Sequence, residues 1–289
     1  MKGLNANIIK YIVPVLILTA LASCKRKISF PSPLGYDFNN PEKFNMPESL
    51  LEISGIAFYK DKGDTIYSIQ DEDGRFFRQG WMNKKQKHTQ FASKDDYEDV
   101  AILNETVFVL RSDGVIFTFP FAERIQEEVK DLKIFKDMLP KGEYESIYAD
   151  NQTNQVYLLC KNCKDDKKDK SMSGSIFTYN QDKKELIPSG TFSMDVSGMI
   201  EREEILKTGL KASALTRDAH SGEWYILSSV NKVLVIASPD WKVKSVIRLN
   251  SSEFNQPEGL AFDDQMSLYI SNEGDELSSG NILKFKHKP

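Results

Sequence analysis

The sequence predicts an all-β chain folded as a five-bladed β-propeller, its ring closed by a strand from near the N-terminus. Two observations carry this. One layout of strands recurs five times along the chain, and the two chain ends are each incomplete in a complementary way.

The repeats begin at Ser54 (SGIAFYKDKGDTIYSIQDEDGRFF), Glu98 (EDVAILNETVFVLRSDGVIFTF), Glu145 (ESIYADNQTNQVYLLCKN, then GSIFTY), Ser213 (SALTRDAHSGEWYILSSVNKVLVI) and Glu258 (EGLAFDDQMSLYISNEG, then GNILKF). Each opens with a small or acidic residue on an apolar strand. A second strand rich in Tyr, Val and Ile follows, then a turn and a third strand. Successive starts lie 44, 47, 68 and 45 residues apart, and a four-stranded blade takes ~40–50 residues. The long offset is one blade with insertions: a charged turn at 161–174, and a stretch at 197–211 with helical spacing at Ile200, Ile205, Leu206 and Leu210.

Fourth strands are expected at Thr89–Ala92, Leu132–Phe135, Leu186–Phe192 and Val243–Leu249. The fifth repeat ends the chain without one, and Gly35–Phe44 is spare at the other end. That segment is the expected closing strand, which removes the open sheet edges that invite aggregation. A β-sandwich of regular hairpins is the alternative, but it does not require a repeat near 45 residues.

Before the repeats comes an address. Residues 1–10 carry Lys2 and Lys10 and no acid, and Tyr11–Leu21 is an apolar run. This is the layout of an export signal, too short for the roughly 20 apolar residues that span a bilayer. Leu21-Ala22-Ser23-Cys24 resembles the bacterial lipobox. It implies a signal peptide over 1–23, a lipidated Cys24, a tether over 24–33 and a propeller over 34–289. The alternative is a plain secretory signal with an incidental cysteine. Several acyl chains would hold the protein stably at a membrane, and Lys25, Arg26 and Lys27 would sit beside its headgroups. The expected location is the bacterial envelope, at the outer membrane facing the periplasm.

The 289 residues are 40% hydrophobic and 28% charged, which supports a real core. Three cysteines cannot staple a chain this long. The formal charge of -4 becomes -6 once Lys2 and Lys10 leave with the signal. An acidic chain argues against nucleic acid as a partner. A monomer is expected, with an envelope protein, glycan or small ligand as its partner.

LLEISGIAF, YEDVAIL with VFVLRSDG, the WYILSS segment and QPEGLAF with LYISNEG resemble the SdiA-regulated family of bacterial envelope proteins, in order, over roughly Glu48–Phe285. The resemblance implies a five-bladed propeller and a calcium site. The blade-three insertions and the Cys160/Cys163 pair depart from a minimal family member.

In a propeller the first strand of each blade lines the central channel, so equivalent positions converge. The opening position reads Ser54, Glu98, Glu145, Ser213 and Glu258, followed by Gly55, Asp99, Ser146, Ala214 and Gly259. Hard cations prefer such oxygen donors, and Ca²⁺ takes six to eight. Calcium at the channel mouth is therefore expected on Glu98, Glu145 and Glu258, with Asp99 or Glu52 assisting. The competing reading is that these carboxylates hold backbone N–H groups of the neighbouring blade.

The second strands end in another ring, Gln70-Asp71-Glu72, Arg111-Ser112-Asp113, Ser228-Ser229 and Asn272-Glu273, read mainly as turns. Arg111 is a candidate for facing a ligand, or a plain exposed arginine. Cys160 and Cys163 are expected to form a disulfide in an oxidising compartment, with free thiols or a metal or redox role as alternatives. Trp81, Trp224 and Trp241 read as blade packing. No sequence motif of a hydrolase or nucleotide-binding site is present. The function expected is a membrane-anchored binding module, non-enzymatic by default, with calcium at its mouth. The alternative is a calcium-dependent hydrolase of phosphoesters or lactones.

Overall fold

The computed structural model describes residues 29–164, 166, 170–201 and 209–288. The signal sequence and Cys24 lie outside the described residues, as does most of the helical stretch expected over 197–211.

Five four-stranded antiparallel sheets form the blades. Blade 1 is β2 (Ile53–Ala57), β3 (Thr65–Gln70), β4 (Arg75–Gly80) and β5 (Lys87–Gln90). Blade 2 is β6 (Tyr97–Leu103), β7 (Thr106–Arg111), β8 (Ile116–Pro120) and β9 (Lys133–Phe135). Blade 3 is β10 (Tyr144–Asp150), β11 (Gln155–Cys160), β12 (Ser171–Asn180) and β13 (Glu185–Asp195), followed by the short α1 (Ser197–Glu201). Blade 4 is β14 (Ala214–Arg217), β15 (Trp224–Ser228), β16 (Val233–Ala237) and β17 (Val243–Arg248). Blade 5 is β18 (Gln256–Phe262), β19 (Leu268–Glu273), β20 (Asn281–Phe285) and, from the other end of the chain, β1 (Glu42–Asn45). Each first strand contacts the first strand of the next blade, and β18 returns to β2, so the ring is closed.

The closing strand is shorter and later than the sequence suggested. β1 pairs with β20 from Glu42↔Lys284 to Asn45↔Asn281. Residues 35–41 are turns instead, because their aromatics have a different task. Tyr36 and Phe38 are buried between blades 4 and 5, where Phe38 lies 4.4 Å from Phe285 and 5.4 Å from Phe254, centroid to centroid.

The second strands are buried from both sides, being sandwiched between neighbouring blades, and their sequences are accordingly continuous apolar runs such as VFVL in β7 and WYIL in β15. The outer strand β13 is mostly exposed. All three tryptophans pack between or within blades. Trp241 is stacked between Phe192 at 3.6 Å and Trp224 at 4.2 Å, and Trp81 meets Phe44 and Tyr269 edge-on at 5.5 Å each. At the channel the first strands approach too closely for side chains at two positions. A Cβ on Gly55 would lie 2.3 Å from Asp99 Oδ1, and one on Gly259 would lie 2.2 Å from Ser271 Oγ.

The candidate carboxylate mouth

Three first strands carry one residue more than their partners. In blade 2 Tyr97 pairs with Arg111 and Asp99 with Leu110, leaving Glu98 as the extra residue. In blade 3 Tyr144 pairs with Cys160 and Ser146 with Leu159, leaving Glu145. In blade 5 Pro257 pairs with Asn272 and Gly259 with Ser271, leaving Glu258. A bulge re-aims the side chain of its extra residue and ends regular pairing there. Blade 1 is irregular over the same stretch, between Ile53 and Ile56, which holds Ser54. Blade 4 places Ser213 just before β14. The five opening positions read from the sequence are thus structurally equivalent, and they gather at one end of the channel.

A second ring surrounds them at the ends of the second strands: Asp71, Ser112, Lys161, Ser229 and Glu273. Asp71 N–H donates to the Glu52 carbonyl at 3.3 Å. Ser229 N–H donates to Ser213 Oγ at 3.2 Å, and Ser213 Oγ donates to the Pro257 carbonyl at 2.7 Å.

The electrostatics join these groups into one site. Burial and then the neighbouring Asp96 push Glu98 up to about 8, with Glu258 and Asp71 adding to the effect. Burial and then Glu258 push Glu273 up to about 8, with Asp71, Glu98 and Glu52 contributing. Burial and then Glu52 push Asp71 up to about 7. Glu258 is also raised, chiefly by burial, although the Ser229 and Ser213 hydroxyls and the ammonium groups of Lys161 and Lys232 oppose that shift. Six carboxylates (Glu52, Asp71, Glu98, Glu145, Glu258 and Glu273) therefore face two cations.

Several polar atoms here have no protein partner. Asp71 Oδ1, Ser54 Oγ, Ser146 Oγ and Asn272 Oδ1 are buried and make no hydrogen bond. Such atoms are costly unless something else satisfies them.

Lys161 is the cation inside the ring. Its ammonium pairs with the buried Glu145 carboxylate, and with Glu143 Oε1 at 3.4 Å. Glu52 is held more loosely, accepting from Gln70 Nε2 at 3.1 Å. Among the described residues no three mouth carboxylates bring an oxygen each within 4.8 Å of one another, so the ring is open. The one trio that close is Cys160, Cys163 and Asp166, and its two sulfurs are joined to each other.

Asp99 lies next to Glu98 in sequence but does something else. It is buried, its Oδ1 accepting Val100 N–H at 2.8 Å and its Oδ2 accepting Ile147 N–H of blade 3 at 2.9 Å. Burial holds its carboxyl well above the usual range despite these two bonds. Bridging between blades is thus the work of Asp99, while Glu98 is aimed at the mouth.

Arg111 forms a two-pronged pair with Asp113, donating through Nε at 2.8 Å and Nη2 at 2.7 Å, and reaches Asp95 with Nη1 at 2.5 Å. Its donors are engaged by these neighbouring turns. The expected Cys160–Cys163 bond is present, with an S–S distance of 2.02 Å.

Glu273, Asp71 and Lys161 belong to the site, although the sequence reading placed none of them in it. The signal that could have found them is register: each directly follows the residue paired across from the strand position just before the opening one.

Residues 171–276 match the model of the SdiA-regulated family, so the resemblance read from the sequence holds over the outer half of blade 3, blade 4 and the first strands of blade 5. No curated protein matches in sequence. Among solved structures, the Myxococcus xanthus glutaminyl cyclase superposes with a TM-score of 0.55 at 10% identity, over 86% of this chain and 96% of that one. A luciferin-regenerating enzyme gives 0.52 at 11% identity, over 86% and 95%. At such identities the likeness shows the propeller fold and nothing of the chemistry.

Proposed function

We propose that this SdiA-regulated propeller is a lipid-anchored binding module of the bacterial envelope whose carboxylate mouth holds a hard divalent cation, calcium. The observation that supports it most is the triple bulge. Three blades insert one extra residue at the same place, and each time it is a glutamate, Glu98, Glu145 or Glu258.

The donor set fits calcium. It is all oxygen, it carries more negative charge than Lys161 and Lys232 can balance, and its carboxyls are driven toward protonation by burial and by one another. A bound cation relieves that repulsion and gives the unpartnered Asp71 oxygen something to bind. Ca²⁺ accepts irregular shells completed by water, whereas Mg²⁺ demands near-octahedral geometry, so an open ring favours Ca²⁺. Glu98, Glu258, Glu273 and Asp71 are the residues assigned to it, with Glu52 and Glu145 at the edge. The chain's own part is to keep these groups pre-aimed on rigid strands. Calcium bound there would supply positive charge for an anionic group of an envelope protein, glycan or small ligand.

Anchoring rests on the lipobox-like Leu21–Cys24 and is tested separately, by mass spectrometry of the N-terminal peptide for acyl groups on Cys24. The calcium reading is tested by thermal unfolding of the chain in EDTA and then in a Ca²⁺ titration. Binding to the folded state alone raises stability by about 2.7 kcal/mol at a hundredfold excess over Kd. A saturable rise in midpoint that is lost on changing Glu98, Glu258 and Glu273 to Gln supports the site, and an unchanged midpoint overturns it. A hydrolytic role needs cations to hold an anionic substrate. Arg111 is spent on Asp95 and Asp113, whereas Lys161 and Lys232 do lie at the mouth, so phosphoesters and lactones are worth screening once calcium binds.

A further inference from the structure

The mouth already contains one cation of the protein's own, and its placement is not casual. Lys161 lies inside the four-residue ring closed by Cys160 and Cys163. Its backbone N–H donates to the Glu143 carbonyl at 2.9 Å, and Asn162 N–H donates to the same oxygen at 3.2 Å. The Asn162 side chain is tied in turn by Lys211 Nζ at 2.6 Å. The disulfide itself is packed against Gly142, where a Cβ would come within 2.6 Å of Cys163 Sγ and 3.0 Å of Cys160 Sγ. From this clamped turn the Lys161 side chain runs to Glu145, with its own exposure at 20% and that of Glu145 at 9%. The electrostatic reach of its ammonium extends to Glu98 and Glu258 on the neighbouring rings. A cation bound among those carboxylates therefore shares the site with a fixed ammonium.

We infer that Lys161, held in place by the Cys160–Cys163 disulfide, is a positioning residue of the mouth: a tethered cation that occupies Glu145, competes with an external divalent cation, and makes the mouth's affinity depend on the redox state of that disulfide. The inference rests on the cation-binding reading above and concerns its regulation. In the oxidised chain Glu145 is engaged and the external cation is left with Glu98, Glu258, Glu273 and Asp71. A dithiol opens the ring by thiolate attack: the S–S bond takes two electrons, Cys160 and Cys163 leave as thiols, and the dithiol closes into its own disulfide. The turn is then free to withdraw the ammonium, and Glu145 becomes available to the incoming cation.

The test is Ca²⁺ binding measured by calorimetry on the parent chain, Lys161→Met, Lys161→Arg and the double variant Cys160→Ser/Cys163→Ser, with urea midpoints to establish that each is folded. Removing one ammonium a few ångströms from the site at an effective dielectric near 20 corresponds to at least about tenfold tighter binding. Lys161→Met is expected to show that gain, the double variant and the dithiol-reduced parent a several-fold gain, and Lys161→Arg to stay near the parent. A role for Lys161 in stability alone would move the urea midpoints and leave the affinities level. Parent and Lys161→Met binding Ca²⁺ equally would overturn the inference and leave the calcium reading standing. Binding by Lys161→Met but not by the parent would sink calcium as the native occupant and support the tethered cation. No binding by either refutes both. A gain in Lys161→Met without one in the reduced parent refutes the redox dependence.

Discussion

Without a bound cation, the raised carboxyls at the mouth make the propeller less stable as pH rises, an unusual direction for glutamates. Glu98 and Glu273 ionise near pH 4.5 in an unfolded chain but near 8 in the folded one. Between those values the folded protein holds a proton that the unfolded one has released. The stabilisation is fully present below about pH 4.5 and is lost as pH climbs through 8. Each group would contribute a slope of about -1.4 kcal/mol per pH unit if it titrated alone. The groups repel one another and share the mouth with water, so their titrations are coupled, and a combined slope on the order of -1 kcal/mol per pH unit is expected. The assay is urea unfolding in EDTA from pH 5 to 8.5, comparing the parent with Glu98→Gln and Glu273→Gln. The amide is nearly isosteric and cannot ionise, so each variant should flatten the slope and be more stable than the parent at pH 8. In saturating calcium the parent's slope should reverse, since calcium binds the ionised carboxylates. A parent whose stability in EDTA is level or rises over this range would refute the reasoning, as would glutamine variants that are less stable than the parent at pH 8.

The other predictions concern parts of the molecule with different tasks. Asp99→Ala strips two buried N–H groups, Val100 and Ile147, of their acceptor. It should cost about 2–4 kcal/mol of unfolding free energy, and equally in EDTA and in calcium; a loss confined to calcium would make Asp99 a ligand instead. Replacing Cys160 and Cys163 by serine opens a very short loop and should cost about 2 kcal/mol in urea unfolding. A chain begun at Pro47 lacks β1 and leaves β20 as an open edge where Phe44 and its strand once lay. It should sediment as aggregates, whereas a chain begun at Ser29 should sediment as a monomer.

The blades were legible because their periodicity is redundant. Five continuous apolar second strands such as VFVL and WYIL recur at blade spacing, and each one predicts the others' roles. The closing strand was located only approximately, because Tyr36 and Phe38 look like strand residues and are instead plugs between blades 4 and 5. The mouth was half legible. Glu98, Glu145 and Glu258 stand out because they share a position in the repeat. Asp71 and Glu273 did not, because Asp71-Glu72-Asp73-Gly74 has the composition of a turn and is in part a turn: Asp73 N–H accepts its cap from Gln70 Oε1 at 2.7 Å. Lys161 was hidden by the charged insertion that follows it, where the basic residues look like a solvated loop.

The contrast between Glu98 and Asp99 shows what the sequence alone leaves open. Two adjacent acids on a regular strand point to opposite faces, which predicts that only one can face the channel but not which one. The bulge decides. The extra residue in the Tyr97–Asp99 stretch turns Glu98 toward the mouth and leaves Asp99 in the seam, where the backbone N–H groups of Val100 and Ile147 wait for an acceptor. A shorter carboxylate suits the seam, because the neighbouring strands are close enough to exclude even a Cβ at Gly55. A longer one suits the mouth, where it must reach across to other blades. The same division recurs where the follower is not an acid: Glu145 is followed by Ser146 and Glu258 by Gly259, and in each case the longer residue occupies the bulge. Length together with register therefore assigns the roles. Glu98→Asp keeps the charge and shortens the reach, so it should weaken calcium binding while leaving the urea midpoint in EDTA nearly unchanged. Equal affinity for the two chains would mean that the mouth acts through its summed charge and not through aimed ligands.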